Sequence, residues 1–363
     1  MNPLFAEIRR NPLLWPLVMV PVVLAAEMLA PQAHTLLFLL SVAAIVPLAA
    51  LLSRATEAVA ARTGDTIGGL LNATLGNLTE LLIALAALRA GQYVLVKASI
   101  AGAIVTNALF MLGASFLLGG LKHRVQEFNR ASAHLHATLL FLATVALLVP
   151  SVLFDTDKMA ATFTHTLSVG LAVLLIAAYG LSLLFSLKTH SDIFAAAGHA
   201  EESEAPWPLG LALATLAGVT VLVALVSEIF VESVQQAADS FGMGPAFVGF
   251  IVVALVGGAA EMTAAFSAAR KNRLDLSVSI ALGSAVQIAL FVAPLLVLLS
   301  YVIGPAPMDL VFWPGAVAMI LIAAMTAALV TNTGRSAWFV GALVLIVYLI
   351  FALTLYLLPP KVG

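Results

Sequence analysis

The sequence predicts an all-α protein that crosses a lipid bilayer many times. Three observations carry this expectation: a composition too apolar for water, a series of apolar runs of membrane-spanning length, and an internal repeat that aligns two glutamates. Of the 363 residues, 62% are hydrophobic and 9% are charged, whereas a soluble domain carries about 25% charged residues. The mean hydropathy is +1.11, and a soluble fold of this composition would expose apolar patches too large to stay dispersed. A formal net charge of −2, without a basic cluster interleaved with aromatics, excludes a nucleic-acid binder. Cysteine is absent, which removes disulfides, thiolate metal sites and cysteine nucleophiles.

One span takes roughly 20 mostly apolar residues. Eleven runs qualify: 13–31, 35–61, 66–89, 93–119, 133–152, 163–187, 208–235, 245–269, 275–302, 309–330 and 337–358. The first follows Arg9 and Arg10 and is longer than the roughly 7–15-residue core of a signal peptide, so it is expected to be an uncleaved span. Short connections suit a compact bundle.

Basic residues set the orientation, because Lys and Arg gather in cytosolic loops. With eleven spans, twelve of the 16 Lys and Arg share the side of the N-terminus, and only Arg89, Lys97, Lys158 and Lys361 take the other. The N-terminus is therefore expected in the cytosol and the C-terminus outside. The one long polar connection, 188–207, is also cytosolic and carries Asp192, Glu201, Glu202 and Glu204. It reads as a solvated linker between two bundles, or as an acidic segment that attracts or senses cations. His190 and His199 would add pH sensitivity there, while His134, His136 and His165 read as interfacial histidines at span ends.

Shifting the sequence by 181 positions superimposes two segments across this linker. Gly76 meets Gly257, Glu80 meets Glu261, Arg89 meets Arg270 and Gly102 meets Gly283, and Ala108-Leu109-Phe110 meets Ala289-Leu290-Phe291. Apolar matches are cheap in such a chain; Glu, Arg and Gly matching in one register are not. Each half then holds five spans, and an odd number makes the halves run in opposite directions, as in many secondary transporters. The expected organisation is an extra N-terminal helix (1–34), a first five-helix repeat (35–187), the acidic linker (188–207) and a second, inverted repeat (208–363).

Glu80 and Glu261 lie inside apolar runs, where a charge at the centre of a helix costs at least ~2.5–3.5 kcal/mol. One buried glutamate can simply hydrogen-bond a neighbouring helix. Two at equivalent positions of an inverted repeat point to an ion site at the repeat interface. The glycines before them, Gly76 before Asn77 and the pair Gly257-Gly258, mark where a helix would weaken and turn carbonyl oxygens toward a cation; such glycines also serve close helix crossings. The following spans offer Thr106 and Asn107 in one half and Ser284 and Gln287 in the other, either as ligands or as interhelical glue. Glu57 and Glu228, near span ends on opposite sides, read as vestibule carboxylates or as ordinary interfacial charges.

This donor set suits Ca²⁺, which takes 6–8 oxygens in flexible geometry, better than Mg²⁺, which demands a strict octahedron. Soft metals are disfavoured without cysteine or a histidine beside the pair. Burial disfavours the charged form of a carboxyl group, so an empty pair would favour protons and a divalent cation would displace them. Competition for one site yields exchange. A cation exchanger with another ion pair (Na⁺ for Ca²⁺, or K⁺ or Na⁺ for H⁺), a channel, and an intramembrane enzyme are the alternatives; no His-Glu-x-x-His, Gly-x-Ser-x-Gly or P-loop motif supports the last.

The stretch Gly69-Leu-Leu-Asn-Ala-Thr-Leu-Gly-Asn-Leu-Thr-Glu80 with its sequel through Gly120, and the stretch Val256–Leu299 with Arg270-Lys-Asn-Arg-Leu-Asp275 and Gly283-Ser-Ala-Val-Gln287, resemble the two signature regions of Ca²⁺/H⁺ antiporters, the CAX family. The resemblance implies eleven helices in two inverted repeats and alternating access around the central glutamates. It also implies that Glu80 and Glu261 bind both Ca²⁺ and H⁺, with Asn77 and nearby backbone contributing to the metal site. The second repeat departs from the family's usual Gly-Asn-Ala-Ala-Glu-His by reading Gly257-Gly-Ala-Ala-Glu-Met262. No cofactor is expected beyond the transported ions. The expected partners are Ca²⁺, H⁺ and the bilayer, a homo-oligomer being compatible with the sequence. The expected location is a prokaryotic plasma membrane, from the compactness of the chain and its lack of a long regulatory tail.

Overall fold

In the computed structural model, residues 3–153, 160–191 and 207–360 are described. The acidic linker residues Asp192, Glu201, Glu202 and Glu204 lie outside them. Among the described residues fourteen helices follow one another: α1 (Pro3–Arg10), α2 (Pro12–Leu29), α3 (His34–Thr63), α4 (Asp65–Leu75), α5 (Leu78–Arg89), α6 (Tyr93–His123), α7 (Arg130–Leu153), α8 (Ala160–Leu184), α9 (Leu209–Ser240), α10 (Pro245–Gly257), α11 (Ala259–Arg270), α12 (Leu274–Ile303), α13 (Pro314–Thr331) and α14 (Trp338–Leu357). Among the described residues, nine helices are long and apolar enough to cross a membrane. Two further spans form if each bent pair counts as one: α4 with α5 at 41° and α10 with α11 at 59°. The expected runs 66–89 and 245–269 are thus broken rather than straight, and the breaks fall at Gly76-Asn77 and at Gly258. All apolar runs fold as helix because a backbone away from water must satisfy its own hydrogen bonds.

At the centre lies α6, with 89% of its apolar window buried against 22% for α8 and α9. It crosses α10 where a Cβ on Gly102 would stand 2.1 Å from the Phe250 carbonyl oxygen. The long helices α3 and α9 pack side by side, with Phe38 stacked on Phe230 at 5.4 Å. Wide π-helical turns interrupt α6 at Thr106–Met111 and α12 at Ile288–Val292, which are near-equivalent positions under the 181-residue shift.

The two ends of α6 are tied to different loops. At its end, His123 Nε2 is 2.9 Å from the Arg270 carbonyl oxygen. Just beyond, Gln126 donates to the Ala269 carbonyl and to Asn272 Oδ1. At its start, the Tyr93 hydroxyl donates to the Ala306 carbonyl and accepts from the Ala306 N–H, and Lys97 pairs with Asp309 at 2.7 Å. One feature departs from the all-α expectation. A two-stranded antiparallel ribbon joins β1 (Val125–Glu127) to β2 (Arg335–Ala337), with Gln126 opposite Ser336. Three-residue strands carry too little alternation to be read from sequence.

Candidate functional site

Each glutamate occupies the first turn just past a break: Glu80 is the third residue of α5 and Glu261 the third of α11. Free N–H groups and the positive end of the helix dipole favour a carboxylate there. The residue at each break, Asn77 or Gly258, stands at the N-cap of the following helix. Glu80 lies against Gly257 of the other bent pair, where a Cβ would stand 3.0 Å from its Cγ. The backbone that leads into Glu261 thus runs beside Glu80.

Ser284 joins three of the expected residues. Its Oγ is 2.6 Å from Glu261 Oε2, 2.7 Å from Asn77 Oδ1 and 2.7 Å from Asn107 Nδ2, which donates to it. Three polar side chains, from α5's N-cap, α6 and α11, therefore meet at one hydroxyl of α12. Gln287, one turn further along α12, stands beside Gly76, where a Cβ would be 3.2 Å from its Oε1. Glu80 Oε1, Asn77 Nδ2 and Gln287 Nε2 are buried and have no hydrogen-bond partner. Buried polar atoms without partners cost about 1–3 kcal/mol each, so their clustering marks a place built for something besides stability. A small cavity beside Glu80 is lined by Ser99, Ile100, Val253, Ile288 and Val292.

The structure brings Glu80, Glu261, Asn77, Asn107, Ser284, Gln287, Gly76, Gly257 and Gly258 into one neighbourhood. Thr106 turns elsewhere: it is fully buried and its hydroxyl shares a 3.3 Å hydrogen bond with Tyr348 of α14. Consecutive residues of a helix diverge by about 100°, so these neighbours reach different partners. Glu57 and Glu228 both stand half exposed but arginine-paired, with Arg54 at 3.2 Å and Arg89 at 2.8 Å respectively. The sequence alone did not single out Tyr348, the Lys97–Asp309 pair or the buried Glu7 of α1, which accepts from Arg54 at 2.9 Å. A lysine near the start of an apolar run was the available signal for Lys97.

Among the described residues no three His, Cys, Asp or Glu side chains stand together as a metal cluster. A cation here would take carboxylate oxygens from two residues only, and further oxygens from amide, hydroxyl or backbone groups. Hard divalent cations with flexible coordination accept such a set.

Residues 33–188 and 211–357 match the family described as sodium/calcium exchanger protein. The chain is 40% identical over 344 residues to a Ca(2+)/H(+) antiporter of Aphanothece halophytica, covering 90% of this chain and 92% of that one. It is 41% identical over 327 residues to the Ca(2+)/H(+) antiporter ChaA of Bacillus subtilis (strain 168), covering 89% and 92%. The solved structure of native YfkE superposes with a TM-score of 0.81 at 35% sequence identity, over 94% of this chain and 98% of that one.

Proposed function

Because the chain belongs to the sodium/calcium exchanger protein family, we propose that it is a secondary antiporter that carries Ca²⁺ out of the cytosol in exchange for H⁺. The observation that carries this reading is the Ser284 hydroxyl, shared by Glu261, Asn77 and Asn107 within reach of Glu80. The names of the 40–41% identical relatives support Ca²⁺ and H⁺ as the ions.

The hydrogen-bond arithmetic supports competition. A serine hydroxyl has one proton to give. If Glu261 is protonated, it donates to Ser284, which donates to Asn77 Oδ1 and accepts from Asn107. If Glu261 is ionised, Ser284 donates to it, and a reversed Asn77 amide donates to Ser284. The same residues thus satisfy both forms, and in the ionised form the Asn77 oxygen is freed to face a cation. Glu80 Oε1, without a partner of its own, supplies a further oxygen. Gly76, Gly257 and Gly258 let the helices break, so that backbone carbonyls near them complete the shell.

Eleven spans fit this function: α2, then a repeat from α3 to α8 and an inverted one from α9 to α14, joined by the 188–207 linker. The loop after α5 and the loop after α11, equivalent in the repeat, lie at opposite ends of α6, which supports the inversion. Alternating access then exposes one site to the two sides in turn. Bacterial relatives support a prokaryotic plasma membrane, with the N-terminus in the cytosol.

Inside-out vesicles with an acidic lumen, followed with a pH-sensitive dye, test the proposal. Ca²⁺ is expected to dissipate the gradient in the wild type and not in Glu80→Gln or Glu261→Gln. A gradient that ignores Ca²⁺ but collapses with Na⁺ or K⁺ would refute the choice of ion.

A further inference from the structure

The two repeats differ at the site where symmetry would make them match. Under the 181-residue shift Asn77 falls on Gly258, and Leu81 falls on Met262. Both Asn77 and Gly258 sit at the break of a bent pair and begin the helix that carries the glutamate. In one half that residue presents a carboxamide; in the other it presents a hydrogen atom.

The backbone does not require the glycine. Gly258 has φ −79° and ψ 6°, which any L-residue adopts. The space beside it is tight. A Cβ there would stand 3.3 Å from Met262 Cε, 3.2 Å from the Ala254 carbonyl oxygen and 3.7 Å from Asn107 Oδ1. Met262, 6% exposed, reaches back one turn along α11, as helical side chains do, and its terminal methyl packs close beside the place of the absent side chain. One turn further on, Phe266 meets Phe110 at 6.3 Å. Gly258, Met262 and Phe266 thus form one face of the bent pair against α6, and the neighbouring face holds Gly257, against Glu80, and Glu261.

We propose that Met262, seated over Gly258, is a specificity-determining residue that withholds one side-chain oxygen from the ion site and so broadens its choice from Ca²⁺ toward Mn²⁺. The proposal rests on the exchange reading above. Ca²⁺ takes 6–8 oxygens at 2.3–2.6 Å, whereas Mn²⁺ favours six oxygens in an octahedron. Removing an oxygen therefore penalises Ca²⁺ more than Mn²⁺. A carboxamide at 258 would restore the symmetric donor set, and the Met262 methyl, 3.3 Å from its first carbon, would have to give way to it.

The test uses the full chain as wild type, Gly258→Asn, Met262→Ala, Met262→Leu and the Gly258→Asn/Met262→Ala double variant. Equilibrium binding of radiolabelled Ca²⁺ and Mn²⁺ to purified protein is read beside the KM of each ion for proton release from proteoliposomes. Gly258→Asn alone, overpacked against Met262, is expected to weaken Ca²⁺ binding about tenfold. The double variant is expected to recover it and to raise the preference for Ca²⁺ over Mn²⁺ about tenfold. Met262→Ala, which keeps Gly258 and opens room for a water oxygen, moves the preference the same way by about threefold. Met262→Leu, apolar and of similar volume, keeps the wild-type ratio. An unchanged ratio in Met262→Ala and the double variant overturns the proposal, as does a shifted ratio in Met262→Leu. Failure of the exchange reading would instead appear as wild-type protein whose Ca²⁺ binding releases no protons.

Discussion

Glu80 packs against Gly257, a residue of the opposite repeat, so closely that a single added carbon there would stand 3.0 Å from its Cγ. The position of one glutamate is therefore set by the backbone that leads into the other. Gly257→Ala must push Glu80 aside or shift the bend between α10 and α11. We expect Ca²⁺-driven proton release to fall at least about tenfold, a displacement of the size that overpacking imposes. The purified variant should still elute as folded protein, and transport within about twofold of wild type would refute the idea.

Ser284 gives a second prediction. Ser284→Ala leaves Asn77, Asn107 and Glu261 without their common partner, and each buried group so stranded costs about 1–3 kcal/mol. The KM for Ca²⁺ is expected to rise about tenfold or more, with partial recovery in Ser284→Thr, which keeps the hydroxyl. An alanine variant with an unchanged KM would remove the hydroxyl from the site.

Protons and Ca²⁺ compete in this reading, which fixes the sign of the pH effect. Lowering pH on the Ca²⁺ side fills the carboxylates with protons, so the apparent KM for Ca²⁺ rises as pH falls. Saturating Ca²⁺ restores the rate. About a tenfold rise in KM per pH unit indicates one competing proton and about a hundredfold indicates two. A KM independent of pH across the range in which the wild type transports would contradict a shared site.

Lys97 and Asp309 lie mostly out of contact with water, at 19% and 26% side-chain exposure. Asp309 also accepts from the Val311 N–H at 2.7 Å. Breaking a partly buried pair strands a charge, so Lys97→Ala should lower the unfolding midpoint in detergent more than a paired Lys97→Met/Asp309→Leu change does. Equal or greater loss in the double variant would show that the pair contributes net stability.

Much of this architecture was legible because lipid imposes simple rules. Apolar runs of sufficient length had to be helices, and Glu80 and Glu261 stood out as carboxylates that such runs cannot otherwise explain. The glycines before them located both breaks. What stayed hidden depended on rotation about a helix axis. Thr106 and Asn107 are neighbours of similar chemistry, and the rotation between consecutive helical residues sends Asn107 to Ser284 and Thr106 to Tyr348. Glu57 had Arg54 three residues away, a pairing the sequence displays. The partner of Glu228, Arg89, lies in the other half of the chain and needed the fold.

The ribbon between Val125–Glu127 and Arg335–Ala337 bears on how the chain is made. Its second strand directly precedes the last helix, α14, while its first strand directly follows α6. During synthesis the first strand waits for its partner until the 207 residues between them and the second strand itself have left the ribosome. The ribbon closes only once α13 and α14 are being placed, so it is an event of assembly that ties the start of α14 back to the end of α6. A truncation before Arg335 would leave the earlier helices inserted in the bilayer with that closure never made.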